Sequence, residues 1–302
     1  MFKKWPEKKI GLLVLIVFFV GMVFFYTDRL HEPPIILAEK ISDNFIDTGA
    51  NNDGAPVINS PIFESVTLAD TYLENNGQGI AIFENHQAKF YPFQILVWHY
   101  GVNDIWNGQP ILVAYNPLCD SATVFKRTDF SNQTLVFENS GKIYNNQIIF
   151  LDHGDGELWG SLTGRSLYGL KGENQAMELV PSVVTTWEIF KRSFPNGQVL
   201  SRETEVERDY SYNPYNDYAT SNDIFYPLEK YDGLFPIKTK IFTYDVKNFY
   251  PEDNIKSDKN TTDQQISFVW DEDWRAVRGY RISDGKEVGL FSGYWMCWAA
   301  IK

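Results

Sequence analysis

Three residues able to do chemistry stand close together in the stretch WHYGVNDIWNGQPILVAYNPLCD: His99, Asp104 and Cys119. An imidazole serves as a base or as a nitrogen ligand of intermediate softness, and a thiolate as a nucleophile or a soft ligand. One reading makes Cys119 the nucleophile of a hydrolase or transferase, with His99 as its base and Asp104 orienting His99. A second makes His99 and Cys119 the first two ligands of a copper or zinc ion or of a redox site, completed by Asp104, Asn116, Asp152, His153 or a backbone group. A third assigns no chemistry. In that reading His99 is a hydrogen-bonded structural histidine, Cys119 a small buried hydrophobe, and the chain a binding or scaffold domain.

The elements around these residues are short. Asn107-Gly108 lies between Val102-Ile105-Trp106 and the run 111–115. That pair favours a tight turn with φ > 0 at its central residues, which folds the arms back and carries His99 and Cys119 towards each other. Upstream, strands near 80–83 and 88–91 flank a turn at Glu84-Asn85-His86, with His86 a solvated tip. Downstream, strands near 134–137 and 147–151 lead into DHGDGELWG. Its Asp152, Asp155 and Glu157 faintly follow a calcium loop but lack the alternating oxygen ligands, and they read as a turn with solvated acids. Thr67 with Asp70, and Thr185 with Glu188, are spaced as capping boxes. The second opens a helix through Ser193 whose Trp187, Phe190 and Phe194 share a face.

Residues 201–235 are rich in Tyr, Asn and Asp and poor in aliphatics. They read as an irregular excursion that either meets a protein or glycan partner or packs its tyrosines on the domain. Residues 237–302 return to β patterning. There is no P-loop, GxGxxG, HExxH or GxSxG, and no βαβ rhythm, which argues against a Rossmann-type fold. The expected fold is mainly β, a β-rich α+β domain with a few short helices.

The 302 residues are 44% hydrophobic and 16% aromatic, enough for a substantial core, with a net charge of −12. Phosphate backbones repel such a chain, so nucleic acid is not an expected partner. Cys119 and Cys297 fit one disulfide, two free thiols, or one ligand and one core residue. Cys297, within YWMCWAA, reads as buried core. Residues 10–26 are uncharged and apolar, behind Lys3, Lys4, Lys8 and Lys9. They read as an uncleaved signal anchor with a cytoplasmic tail at 1–9, a stalk at 27–55 and an outward-facing domain at 56–302.

FYPFQILVWHYGVNDIWNGQPILVAYNPLCDSATVFKR resembles the hallmark stretch of the DUF3179 family, an uncharacterised and mostly bacterial group. NSPIFESVTLAD, GELWGSLTG, TTWEIFKRSFPNGQVL and YWMCWAA extend the resemblance. The family's first motif reads Trp-His-Glu followed by Val-Asn-Asp. Trp98, His99, Val102, Asn103 and Asp104 match it, and Tyr100 stands in place of Glu. The second motif reads Tyr-Cys-Pro-Leu-Cys. Tyr115, Pro117, Leu118 and Cys119 match, and Asn116 replaces the first cysteine, so a local Cys-x-x-Cys disulfide is excluded. The resemblance implies an extracytoplasmic β-rich fold at a bacterial membrane and supplies no established activity.

Overall fold

The computed structural model describes residues 39–40, 44–49, 54–129, 131–168 and 175–302. The anchor read at 10–26, the tail before it and most of the 27–55 stalk lie outside the described residues. Among the described residues no helix is long and apolar enough to cross a membrane. The expected β-rich architecture holds there, as short strands form five sheets and the helices run four to seven residues.

Strands Gln78–Glu84 and Gln87–Pro92 form the first hairpin, turning through Asn85 and His86 at φ 48° and 71°. Pro92 then opens a helix, Phe93–His99. The ring presets φ and the missing N–H is no loss at a helix start. The sequence pattern concealed this helix because FQILVWH is apolar on nearly every face, which erases the 3.6-residue period. Tyr100 ends it in the left-handed region at φ 59°. Gly101–Trp106 and Gln109–Asn116 pair antiparallel about Asn107-Gly108, whose φ values of 48° and 81° are those of the expected tight turn, and Ser121–Lys126 completes the meander.

Strand Val183–Thr186 returns to the other side of Gln78–Glu84 and runs into helix Trp187–Ser193. The cap is Thr186, without a side-chain capping bond, and Thr185 Oγ1 instead donates to Trp274 O at 2.8 Å. Likewise Ser65, not Thr67, caps Val66–Ala69, and Asp70 accepts from Trp187 Nε1 and Lys191 Nζ. In both cases tertiary partners outcompete the local capping box.

The second half of the chain repeats this module. Strand Lys240–Thr243 pairs with Tyr250–Pro251, which opens helix Glu252–Asp258, and Lys259 ends that helix at φ 60°. Strands Asn260–Thr262, Ile266–Asp271, Ala276–Arg281 and Glu287–Val288 form the meander, and Phe291–Tyr294 returns to Lys240–Thr243 and enters helix Trp295–Ile301. These two helices interrupt the β patterning read over 237–302. Registers correspond pair by pair. Gly79↔Pro92 recurs as Ile241↔Pro251, Gly101↔Ala114 as Asn260↔Val269, Asn116↔Ser121 as Asp271↔Ala276, and Thr186↔Gln78 as Tyr294↔Lys240. Even the helix-entry bonds match. Trp187 and Glu188 N–H donate to Gly77 and Asn75 O, while Trp295 and Met296 N–H donate to Thr239 and Ile237 O. Phe-Tyr-Pro at 90–92 and 249–251 is the clearest trace of this in the sequence.

The two copies contact each other reciprocally. Ser121–Lys126 packs against Phe291–Tyr294, and Val183–Thr186 against Ala276–Arg281. Tyr294 N–H donates to Cys119 O at 2.7 Å, and the equivalent carbonyl of the other copy, Trp274 O, accepts from Thr185 Oγ1. This is the relation of a two-fold axis. The first copy alone carries an insertion, 127–177, at the turn that residues 282–285 make in the second; Lys126 N–H donates to Glu178 O across it as Arg281 N–H does to Lys286 O. The insertion's strands Phe137–Tyr144, Gln147–Asp152, Leu158–Gly160 and Ser166–Tyr168 form a sheet with Glu39–Lys40 and Ile46–Asp47. Trp187 and Trp295, which open equivalent helices, are both fully buried.

Candidate functional site

His99 is buried at the end of its helix, and both ring nitrogens are engaged. Nδ1 lies 2.8 Å from Pro56 O, which only accepts, so Nδ1 carries the proton. Nε2 is left to accept from the Tyr210 hydroxyl at 2.6 Å. Burial holds the His99 pKa below its usual value, with the Arg208 charge adding to the effect against the Pro56 carbonyl and Glu205.

Asp104 does not orient His99. Its Oδ2 accepts from Lys89 Nζ at 2.6 Å and from the Tyr91 hydroxyl at 2.7 Å, and Oδ1 accepts from Ile105 N–H. Lys89 also bonds Ile105 O at 3.1 Å and lies over the Phe63 ring. Each group of this buried pair is satisfied, the condition under which such a pair is tolerated. Asn103 beside it donates to Asn59 Oδ1 and Phe137 O, tying the lead-in and the insertion to the hairpin.

Cys119 is not a free thiol. It forms a disulfide with Cys297, 178 residues away, and Cys297 is buried as well. A sulfur in a disulfide is neither a thiolate nucleophile nor a thiolate ligand, which removes both chemical roles read for Cys119. The bond also ties the 117–120 turn of the first copy to the last helix of the second. Asn116 is no ligand either, since Nδ2 donates to Asn146 O at 2.9 Å and Oδ1 accepts from Leu118 N–H at 3.0 Å. The second copy explains the residue type, because Asp271 accepts from Asp273 N–H at 3.0 Å in the equivalent turn. Asp152 accepts from Val136 and Asp155 N–H, and exposed His153 lies 3.2 Å from Glu138. Among the described residues no three His, Cys, Asp or Glu side chains converge as a metal site.

Three consecutive residues of the signature instead grip the 201–235 excursion. Trp98 Nε1 donates to Tyr212 O at 3.1 Å, His99 bonds Tyr210, and the Tyr100 hydroxyl lies 2.7 Å from that of Tyr215. The excursion is irregular, as expected, and these bonds stand it off the helix Phe93–His99. Between them opens a cleft of about 640 Å³, within the ~300–1,000 Å³ range of small-molecule sites. Phe93 and Tyr115, stacked at 4.0 Å, line it together with Tyr212, Tyr215 and Tyr218 of the excursion and with Asp120 and Tyr294.

The family model described as "Protein of unknown function (DUF3179)" matches residues 52–299. The chain belongs to the DUF3179 family. No curated protein and no solved structure matches it. In this DUF3179 chain the two residues read from the sequence as departures from the resemblance are bonded, Tyr100 to Tyr215 and Asn116 to Asn146. Sequence reasoning singled out the tyrosine-rich excursion but missed Tyr115, Asp120 and Tyr294 as its neighbours, because no local signal links the excursion to the first copy's meander or to the strand Phe291–Tyr294 of the second.

Proposed function

We propose that this DUF3179 protein is a membrane-anchored, outward-facing binding domain whose binding face is the aromatic cleft. One observation carries the reading. His99, Asp104, Asn116 and Cys119 are all committed to bonds within the protein, and the His99 bond to Tyr210 helps to hold the excursion whose tyrosines line the cleft. Chemistry at His99 and Cys119 would need atoms that are already bonded. The Cys119–Cys297 disulfide suits an oxidising compartment, which agrees with an outward orientation behind a 10–26 anchor.

The test is alkylation and elemental analysis of the full-length protein extracted from membranes without chelator. The reading expects no alkylated cysteine before reduction, two after it, and no stoichiometric copper or zinc. A thiol that reacts in the native protein, or bound metal lost in both His99→Ala and Cys119→Ser, overturns it.

A further inference from the structure

The cleft's lining has a distinctive chemistry. It contains Asn76, Gln78, Gln94, Asn213 and Asn216 among aromatic rings, and it contains no Lys, Arg or His. Its only acids are Glu74 and Asp120, and Asp120 is paired with Lys240 at 2.6 Å. Such a lining offers nothing to bind an anion and little uncompensated charge for a cation.

The hydroxyls separate into two sets. Those of Tyr72, Tyr210, Tyr215 and Tyr218 are bonded within the protein, to Glu64, His99, Tyr100 and Leu118 O. Those of Tyr115, Tyr294 and the exposed Tyr212 have no partner among the described residues, although Tyr294 is only 7% exposed and lines the cleft. Burial pushes the Tyr115 and Tyr294 phenols above their usual pKa, and the Asp120 charge acts on each in the same direction. Both are therefore neutral donors, grouped around one carboxylate. Neither oxygen is among the fully buried polar atoms that lack a partner, so both are accessible at the cleft they line, where a ligand hydroxyl can bond them.

The second copy serves as an internal control. At the positions of Gln78, Phe93, Gln94 and Val97 it has Lys240, Glu252, Asp253 and Lys256. Trp270, the counterpart of Tyr115, has Lys256 Nζ 4.8 Å over its ring. The same backbone thus folds with a charged helix and a covered ring, so the module itself does not require the neutral aromatic wall of the first copy.

We propose that the cleft is a saccharide site. A neutral sugar ring lays its C–H face on the aromatic walls, and its hydroxyls bond Tyr115, Tyr294 and Asp120. The flanking amides serve neighbouring hydroxyls of the chain. This inference rests on the cleft being the binding face.

The experiment is calorimetric titration of the full-length chain, held in a sugar-free detergent, with pentaoses of β-1,4-glucose, β-1,4-N-acetylglucosamine and α-1,4-glucose. A proline-rich decapeptide is titrated in parallel, because aromatic grooves also take such peptides. At least one pentaose is expected to bind with Kd below about 1 mM. Tyr294→Phe, which removes a single oxygen, and Tyr212→Ala, at a 59% exposed residue, are each expected to weaken it about tenfold. Ile282→Ala, at an exposed turn outside the cleft lining, is expected to leave it unchanged. Failure of all three pentaoses, with peptide binding abolished by Tyr212→Ala, overturns the saccharide and leaves the cleft as the binding face. Failure of pentaoses and peptide alike overturns both. Sugar binding indifferent to Tyr294→Phe and Tyr212→Ala places the site elsewhere and overturns the proposal.

Discussion

Cys119 and Trp274 hold the same position in the two copies of the module. Each precedes a left-handed residue, Asp120 at φ 47° and Arg275 at φ 49°, and each offers its carbonyl to the other copy. The two faces of the pseudo-two-fold are therefore closed by different means. Cys119 is bonded to Cys297, whereas Trp274 stacks on Phe83 at 4.6 Å and packs near Phe194.

Removing either closure is expected to loosen the pairing of the copies. Replacing both cysteines by serine should lower unfolding stability by up to about 5 kcal/mol, from the chain entropy released by opening so long a loop. Trp274→Ala should cost about 3 kcal/mol, the low end for large aromatic deletions, because the ring is half-buried. Urea unfolding at fixed pH, with and without reductant, measures both. Reductant should shift the midpoint of the wild type and of Trp274→Ala but not that of the serine variant.

Asp104→Ala should be among the most damaging single substitutions. It strands the Lys89 ammonium and the Tyr91 hydroxyl in the core, and breaking a buried pair from one side costs about 3–5 kcal/mol. The double variant Lys89→Met/Asp104→Leu should recover most of the loss, because it removes the charge from both sides. Denaturant midpoints of the single and double variants check this.

His99 makes stability depend on pH with a definite sign. Its folded pKa lies below the unfolded value of about 6.5, so the native state binds fewer protons than the unfolded state around and below that value. The contribution is complete above about pH 7 and declines as the pH falls through 6.5 towards the folded pKa. Melting temperatures taken in half-unit steps from pH 8 to 5.5 should show this decline, and His99→Gln should flatten it. An equal slope in that variant would assign the effect to another group.

The copies also predict where a small residue is needed. Gly79 corresponds to Ile241, yet a Cβ at Gly79 would come within 2.5 Å of the Phe90 ring and 2.7 Å of Tyr91 O. Phe249, the counterpart of Phe90, packs against Trp295 and Trp298 as Phe90 packs against the equivalent Trp187 and Phe190, yet the second copy carries a full side chain at Ile241. Gly79→Ala is therefore expected to destabilise by about 2 kcal/mol, as overpacking does, and Ile241→Ala to act by leaving a void instead. Chemical denaturation measures both losses, and pressure denaturation separates them, since a void at Ile241→Ala makes the volume change of unfolding more negative and Gly79→Ala does not.

Tyr100→Phe should leave global stability nearly intact and release the excursion locally. One hydrogen bond to Tyr215 contributes about 1 kcal/mol. Hydrogen exchange should rise over 210–218 and stay unchanged in the 101–116 hairpin. Uniform protection in the variant would show that Tyr100 does not hold that segment.

The hairpin at Asn107-Gly108, the β-rich class and the irregular 201–235 segment were all legible in the sequence, because each rests on local chemistry: a pair that accepts φ > 0, strand alternation, and a lack of aliphatics. The helices Phe93–His99 and Trp295–Ile301 were not, since burial on nearly all sides removes the polar face that reveals a period. The grouping of His99 with Cys119 failed for a related reason. Residues near in sequence at the ends of a hairpin were assigned to each other, while their actual partners, Tyr210 and Cys297, lie 111 and 178 residues away. The repeat escaped notice because its copies share registers and turn geometry far more than residue types.

The insertion at 127–177 sets this chain apart from a pair of identical subunits. In an assembly of two identical chains, a segment added to one turn appears on both sides of the axis, and any cleft it helps to shape is made twice. Two modules encoded in tandem carry no such constraint. The first holds an extra sheet and an apolar helix, and the second a four-residue turn and a charged helix. A surface that symmetry would duplicate is thereby made once.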